Sequence, residues 1–309
     1  MTSSHAARFG FIGVTASASS INRVFPRWAE VLALGEVEFI PVDLPLDADT
    51  ETYRRAVAEI AADPRHRGAL VTSHKVKLLD AARDQFDVLD RYAQLCREIS
   101  CISKRRGQLV GHAKDPITSG HSIEEFCDPT HFGDTGGHVM SLGAGGSGLA
   151  IAVYLLERRA GGDRPPRIVL VNRSPGRLEV CREVLGSLPD VGVEIEYVHN
   201  ADPAVNDALM AELPPGSMAI NATGLGKDRP GSPITDRGRF PERGVAWELN
   251  YRGELDFLHQ ARAQAEDRKL QVEDGWRYFI HGWSAVVAEA FDIDLTPDLL
   301  SRLSAAAGR

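Results

Sequence analysis

The sequence has few cysteines, no cluster of metal-ligating side chains and no long apolar run. Four cysteines occur among 309 residues, none in the C-x-x-C spacing of zinc or redox sites, so we expect packed, reduced thiols in a cytoplasmic protein. The ten histidines are scattered, and no metal site is predicted. No apolar run approaches the length of a membrane span, and the first residues lack a signal-peptide pattern. A net charge of −8 argues against nucleic acid and anionic membranes as partners.

The chain is long enough for one large or two medium domains. Its first part alternates predicted strands with predicted helices, which indicates a parallel sheet. The predicted strands there are Arg8–Val14, Val37–Leu44 and Gly68–Thr72, and the helices between them are Phe25–Leu34 and Glu51–Ala62. Residues 104–107 have the composition of a hairpin turn. We therefore predict an α/β fold.

A glycine-rich segment over residues 141–150 lies between a predicted strand (138–142) and a predicted helix (149–159). Strand, glycine turn and helix in this order bind a dinucleotide pyrophosphate at the helix N-terminus. Gly143 permits the tight turn, Gly145 the approach of the phosphates, and Gly148 the close packing of helix on strand. The predicted phosphate-binding residues are Gly143, Gly145, Gly146, Ser147 and Gly148.

The end of the next predicted strand favours NADP over NAD. Residues 167–171 form a continuous apolar run, typical of a parallel strand buried on both faces. An NAD site usually has an acidic residue after this strand, whereas this chain has neutral Asn172. Asn172 is followed by Ser174 and by two arginines, Arg173 and Arg177, whose guanidinium groups match a phosphate in charge and geometry. The alternative is that both arginines are simply solvated on a surface turn.

Two domains are predicted, an N-terminal α/β substrate domain and a Rossmann NADP-binding domain. The substrate domain covers residues 1–118 and is completed by C-terminal helices over residues 272–309. The Rossmann domain covers residues 119–271, with further strands at 193–199, 217–221 and 245–249. We expect the active cleft to lie between the domains.

Eight short motifs follow one another along the chain: Ser17–Ser19, Val71–Lys75, Gly111–Asp115, Gly143–Gly146, Asn172–Ser174, Asn221–Gly224, Leu249–Tyr251 and Asp274–Gly275. In this order the chain resembles the shikimate dehydrogenase family along nearly its whole length. Each motif is weak alone, but chance does not readily produce eight of them in sequence order.

The resemblance implies reversible hydride transfer between NADP and a ring hydroxyl or ketone. It implies that Lys75 exchanges the hydroxyl proton and that Asp115 orients Lys75, since alcohol oxidation needs a positioned proton acceptor. The turn before Lys75 is one residue shorter than the family pattern, so Lys77 is the alternative lysine. The nicotinamide–ribose side is assigned to Asn221, Thr223, Gly224 and Leu249. The substrate is assigned to Ser17, Ser19, Thr72, Lys114, Tyr251 and His281, with the two serines holding a carboxylate if the substrate has one.

The substrate pocket departs from the family. Members that use shikimate have Asn-Thr before the aspartate and a glutamine in the closing helix, where this chain has Ala113, Lys114 and Gly282. Lost hydrogen-bond partners for a hydroxyl can reduce discrimination by about 10⁴. Trp276, Tyr278, His281 and Trp283 enrich the closing helix with rings. These rings suit a cyclitol or a modified cyclohexane or cyclohexene carboxylate as the substrate. The alternative is that they only fill the domain interface.

Three functions are therefore compared. The first is an NADP-dependent dehydrogenase of a polyhydroxylated cyclic substrate, with a divergent pocket. The second is shikimate or quinate dehydrogenase itself. The third is an NADP-binding sensor without catalysis, which Lys75 and Asp115 argue against because a sensor needs no proton-transfer pair. A small-molecule substrate is the expected partner, and a homodimer is the assembly considered.

Overall fold

The computed structural model describes residues 6–157, 162–227 and 229–308. The chain divides into two compact units, one formed by Met1–Lys114 with Ile280–Arg309 and the other by Asp115–Phe279. The boundaries thus lie between residues 114 and 115 and between residues 279 and 280, whereas the sequence predicts them at 118/119 and 271/272. Each unit has its own six-stranded sheet with flanking helices, which confirms the predicted α/β fold class.

The first unit contains a mixed sheet in the strand order β2-β1-β3-β5-β6-β4. Its strands are β1 (Ala7–Gly13), β2 (Val37–Asp43), β3 (His66–Val71), β4 (Val88–Leu89), β5 (Cys101–Arg105) and β6 (Gln108–His112). Its helices are α1 (Ile21–Val31), α2 (Thr50–Ala62), α3 (Lys75–Ala82), α4 (Arg91–Cys96) and, near the C-terminus, α13 (Pro297–Ala307). Strands β2, β1 and β3 are parallel, so their carboxyl ends meet at one edge of the sheet.

Local sequence explains several of these elements. Helix α2 begins after Asp49, whose side chain accepts a hydrogen bond from the backbone of Thr52 at 2.8 Å. Strands β5 and β6 pair as the predicted hairpin. Arg106 and Gly107 at its turn both have positive φ, as a two-residue type I′ turn requires. Apolar side chains of β1, β3 and α2, including Ile12 and Val57, form the buried core.

The second unit contains a fully parallel sheet in the order β12-β11-β10-β7-β8-β9. Its strands are β7 (Val139–Leu142), β8 (Arg167–Asn172), β9 (Glu194–His199), β10 (Met218–Asn221), β11 (Val245–Glu248) and β12 (Gln271–Glu273). This is the Rossmann strand order, with the reversal between β7 and β10. The helices are α5 (Asp115–Phe126), α6 (His131–Thr135), α7 (Gly146–Glu157), α8 (Pro175–Gly186), α9 (Pro203–Ala211), α10 (Asp256–Ala263) and α11 (Ala265–Arg268).

Helix α12 (Trp276–Phe291) begins in the second unit and ends in the first. The helix predicted over residues 149–159 is α7, whose last two predicted residues lie outside the described residues. All four cysteines are buried, and no disulfide bond joins them. In the described parts of the chain, no helix combines the length and apolar character needed to cross a membrane.

Candidate active site

The glycine loop of the second unit follows β7 and leads into α7. Gly143 has φ +108°, and a Cβ there would lie 2.6 Å from the carbonyl carbon of Ala222. A Cβ on Gly148 would lie 2.1 Å from the carbonyl oxygen of Gly143. Both positions therefore require glycine. A Cβ on Gly145 would meet nothing within 4 Å, so the loop surface before α7, which begins at Gly146 and Ser147, is open. An open backbone surface before a helix N-terminus fits a pyrophosphate.

The residues predicted to select NADP lie where β8 ends. The side chain of Asn172 accepts a hydrogen bond from the backbone of Ser174 at 3.0 Å, which turns the chain into α8. Arg173 and Arg177 are both exposed, and the carbonyl of Arg173 bonds to Nε2 of His199 at 3.2 Å. The turn is thus fixed through its backbone, whereas both guanidinium groups face solvent beside the strand end.

The carboxyl ends of β10 and β11 are joined by a buried polar network centred on Glu248. Asn221 donates to one carboxylate oxygen at 2.6 Å, and the backbone and side chain of Asn250 donate to the other at 2.8 and 2.7 Å. Because Glu248 is fully buried, its pKa is raised to about 7. Glu248 was not among the site residues predicted from the sequence, although an acidic residue at the end of an apolar strand is a visible signal.

The network also holds the predicted nicotinamide–ribose residues. The amide oxygen of Asn221 accepts hydrogen bonds from the backbone and the hydroxyl of Thr223, at 3.1 and 2.6 Å. Gly224 has φ +74°, which favours glycine, and the backbone of Leu249 donates to the Asn221 carbonyl at 3.2 Å. Asn221 therefore holds the turn after β10 through its side-chain oxygen and connects it to the end of β11 through its carbonyl.

Asp115, the predicted catalytic carboxylate, is the first residue of α5 and is buried. The hydroxyl of Tyr278 lies 3.4 Å from Oδ2 of Asp115 and 3.0 Å from Oγ of Ser147. The ring of Tyr278 meets that of Trp247 edge-on, with 6.0 Å between centroids. One tyrosine therefore connects the predicted catalytic carboxylate to the glycine loop.

Tyr251, a predicted substrate residue, packs in an aromatic cluster. Its ring centroid is 4.4 Å from that of Phe279 and 6.0 Å from that of Trp276. Trp276 and Phe279 stack on each other at 5.2 Å. Tyr251 is only half-buried, so one part of its surface stays accessible.

In the first unit, the turn after β3 positions the two candidate lysines. Ser73 has φ +56°, and the buried His74 binds the hydroxyl of Tyr53 at 2.9 Å and the carbonyl of Leu44 at 3.0 Å. Burial lowers the pKa of His74, so a neutral ring donates to the Leu44 carbonyl and accepts from Tyr53. Lys75 then begins α3 and is half-buried, whereas Lys77 is exposed and donates to the carbonyl of Leu46 at 2.5 Å.

The predicted substrate residues Ser17 and Thr72 lie at the same sheet edge. Thr72 continues the hydrogen bonding of β3, with its backbone donating to the Ile12 carbonyl at 2.9 Å. Ser17 donates to Asp43 from its backbone, at 3.0 Å, and from its hydroxyl. Ser19 is half-buried, and its carbonyl accepts from the Asn22 amide at 2.9 Å.

The side chains of Lys114 and His281 are largely buried and do not form an open substrate contact. The Lys114 amine lies 2.5 Å from a carboxylate oxygen of Glu289, with both side chains about five-sixths buried, and it lowers the pKa of Glu289. This pair ties the segment after β6 to α12, so we expect a structural role for Lys114. His281 is 5% exposed within α12. Among the described residues, no group of three or more His, Cys, Asp or Glu side chains could hold a metal ion.

Curated relatives of the chain include shikimate dehydrogenases. No family model matches the chain. A shikimate dehydrogenase (NADP(+)) of Sphingopyxis alaskensis is 27% identical over 250 residues, which cover 77% of this chain and 79% of that protein. A shikimate dehydrogenase (NADP(+)) of Streptococcus thermophilus is 30% identical over 180 residues, 58% of each chain.

Solved structures that share this fold match nearly the whole length of the chain. Shikimate 5-dehydrogenase of Thermus thermophilus, in complex with NADP(H) and shikimate, matches with a TM-score of 0.70 and 21% identity, covering 97% of this chain and 99% of that one. A 5-ketofructose reductase of Gluconobacter matches with a TM-score of 0.69 and 19% identity, covering 98% of both chains. The likeness to the shikimate dehydrogenases that the eight motifs predicted is therefore confirmed in sequence and in fold.

Proposed function

We propose that the protein is an NADP-dependent dehydrogenase acting reversibly on a ring hydroxyl or ketone of a polyhydroxylated cyclic substrate. The observation that carries the proposal is the contact of Tyr278 with both Ser147 and Asp115. It brings a carboxylate suited to substrate binding next to a glycine loop suited to a pyrophosphate. The names of the curated relatives, which include NADP(+), support the same cofactor.

The residues present fit NADP. The glycine loop offers backbone N–H groups, with Gly143 and Gly148 shaped so that only glycine fits and Gly145 open. Arg173 and Arg177 would hold the 2′-phosphate, and the turn after β10 would hold the nicotinamide–ribose side. When bound, NADP accepts or supplies the hydride.

The chain itself has to move the hydroxyl proton. We assign this step to the amine of Lys75, with Asp115 orienting Lys75 and accepting from a neighbouring hydroxyl. Lys75 is favoured over Lys77 because Lys75 is half-buried at the start of α3, directly after the turn, whereas Lys77 is exposed. Thr72, just before this turn, and Tyr251 complete the proposed substrate contacts. A cytoplasmic location and a homodimer stay predictions from the sequence.

The test is NADP reduction, followed by NADPH absorbance, with shikimate, quinate and a panel of cyclitols, each repeated with NAD. We expect turnover of a ring alcohol other than shikimate and quinate, with NADP preferred. Efficient shikimate or quinate turnover would instead support the second function; shikimate is the substrate in the relatives' names. NADP binding without turnover of any ring alcohol would contradict the proposed activity and favour a sensor.

A further inference from the structure

Asp43 lies at the sheet edge that carries the proposed substrate residues of the first unit. It ends β2 and pairs with Gly13 at the end of β1. A Cβ on Gly13 would lie 2.9 Å from the hydroxyl of Thr72, so the ends of β1 and β3 are in close contact there. Asp43, Thr72 and the loop with Ser17 therefore line one edge, next to the turn that leads to Lys75.

Both hydrogen-bond donors of Ser17 are used by Asp43. The backbone N–H donates to one carboxylate oxygen at 3.0 Å, and the hydroxyl donates to the other. The Asn22 amide holds the loop in this arrangement, since it contacts the carbonyls of Ala16 at 2.8 Å and Ser19 at 2.9 Å. The loop is thus ordered around a carboxylate that belongs to the protein.

The consequence is electrostatic. Hydrogen bonds from Ser17 hold the pKa of Asp43 below its usual range, so this exposed side chain is negatively charged at neutral pH. A substrate carboxylate at this loop would meet a like charge and would find the Ser17 donors occupied. A hydroxyl group would be accepted, because a carboxylate has about four acceptor sites and Ser17 uses two.

We propose that Asp43 accepts hydrogen bonds from ring hydroxyl groups, and that the substrate is a neutral polyol without a carboxylate. This inference rests on the proposed function and narrows its substrate class to neutral rings. It replaces the expectation that Ser17 and Ser19 hold a substrate carboxylate.

The test compares rings that differ in charge. Shikimate and its methyl ester share one ring and differ in the carboxylate, and the inositols (with NADP) and 5-ketofructose (with NADPH) serve as further neutral probes. We expect kcat/KM for methyl shikimate to exceed that for shikimate by about tenfold, as like charges at a protein surface predict. In Asp43→Asn, which keeps an oxygen acceptor for Ser17, this ratio should fall towards one, and turnover of the neutral probes should fall with it.

Asp47→Asn is the matched control, because Asp47 is an exposed residue of the segment that directly follows β2 and the substitution removes the same charge. Its ratio should stay at the wild-type value. Preference of the wild type for shikimate over its ester, or an equal change in both variants, would overturn the inference while leaving the dehydrogenase proposal intact. Absence of turnover with every charged and neutral ring would overturn both. If Asp43→Asn does not fold, the wild-type ratio alone decides.

Discussion

The hydroxyl of Tyr278 and Oγ of Ser147 are hydrogen bonded at 3.0 Å, which links the start of α12 to the start of α7. The same hydroxyl lies 3.4 Å from Asp115, so Tyr278 can position two proposed functional residues at once. The Tyr278 hydroxyl is the donor in the 3.0 Å contact with Ser147, and because it has a single proton, the longer approach to Asp115 shares that donor.

Tyr278→Phe removes this link and keeps the ring against Trp247. The loss of a net hydrogen bond, about 1 kcal/mol, should weaken NADP binding about fivefold and also lower kcat. Binding is measured by titration calorimetry and kcat by steady-state kinetics. The control is Tyr154→Phe. It also removes a tyrosine hydroxyl, but this hydroxyl contacts Glu124 at 2.5 Å on the surface. If Tyr278→Phe lowers only the melting temperature, the tyrosine has no positioning role.

The Rossmann unit could be predicted from the sequence because its determinants are local. Gly143 and Gly148 are required by contacts within a few residues or with an adjacent strand, and the run before Asn172 is apolar because β8 is buried on both faces. The hairpin turn predicted over residues 104–107 was equally local, although the structure assigns Lys104 and Arg105 to β5 and leaves only Arg106 and Gly107 in the turn. Such patterns need no knowledge of distant partners.

Other parts of the candidate site depend on partners far apart in sequence. Ser17 meets Asp43 across 26 residues, and Lys114 meets Glu289 across 175. No pattern along the chain announces these pairs, since they arise only when the strands and helices pack. The sequence therefore indicated Ser17 and Lys114 as polar residues of the site but could not say which partners would already occupy them.

Arg173→Ala should weaken NADP binding much more than NAD binding. A charge-assisted hydrogen bond to a phosphate contributes about 1.5–3 kcal/mol, so we expect a loss of about tenfold to a hundredfold for NADP alone. Separate titrations with each nucleotide measure this. Arg182→Ala is the control, because Arg182 lies further along α8 and stacks on Tyr197 at 4.3 Å. Equal weakening of both nucleotides would contradict the assignment of Arg173 to the 2′-phosphate.

Glu248 makes a pH-dependent contribution to stability. Its folded-state pKa of about 7 lies above the ordinary glutamate value, so the folded protein holds this proton more tightly than the unfolded chain. The contribution is therefore fully present at acidic pH and is lost as pH rises through 7. Glu248→Gln cannot ionise, although its amide group places a donor where a carboxylate oxygen accepts from Asn221 or Asn250, which costs a pH-independent amount of stability. Relative to wild type, its free energy of unfolding should therefore rise by about 3 kcal/mol between pH 4.5 and 7.5, roughly the linkage expected for this shift.

Urea denaturation of wild type and Glu248→Gln at several pH values measures that difference. Glu212→Gln provides the comparison, because Glu212 is exposed at the end of α9 and lies outside the Glu248 network. A difference between wild type and Glu248→Gln that does not vary with pH would show that folding does not raise the pKa of Glu248.

The two lysines after β3 can be separated by paired substitutions. Lys75→Ala should lower kcat by about 10² to 10⁴, the contribution typical of a positioned acid–base group, with NADP affinity near the wild-type value. Lys77→Ala should retain most of the activity and lose some stability, because its amine only anchors the Leu46 carbonyl. Turnover is measured with whichever ring alcohol the substrate panel identifies. The reverse result, an active Lys75→Ala and an inactive Lys77→Ala, would move the proton transfer to Lys77 and would require the Leu46 contact to break during catalysis.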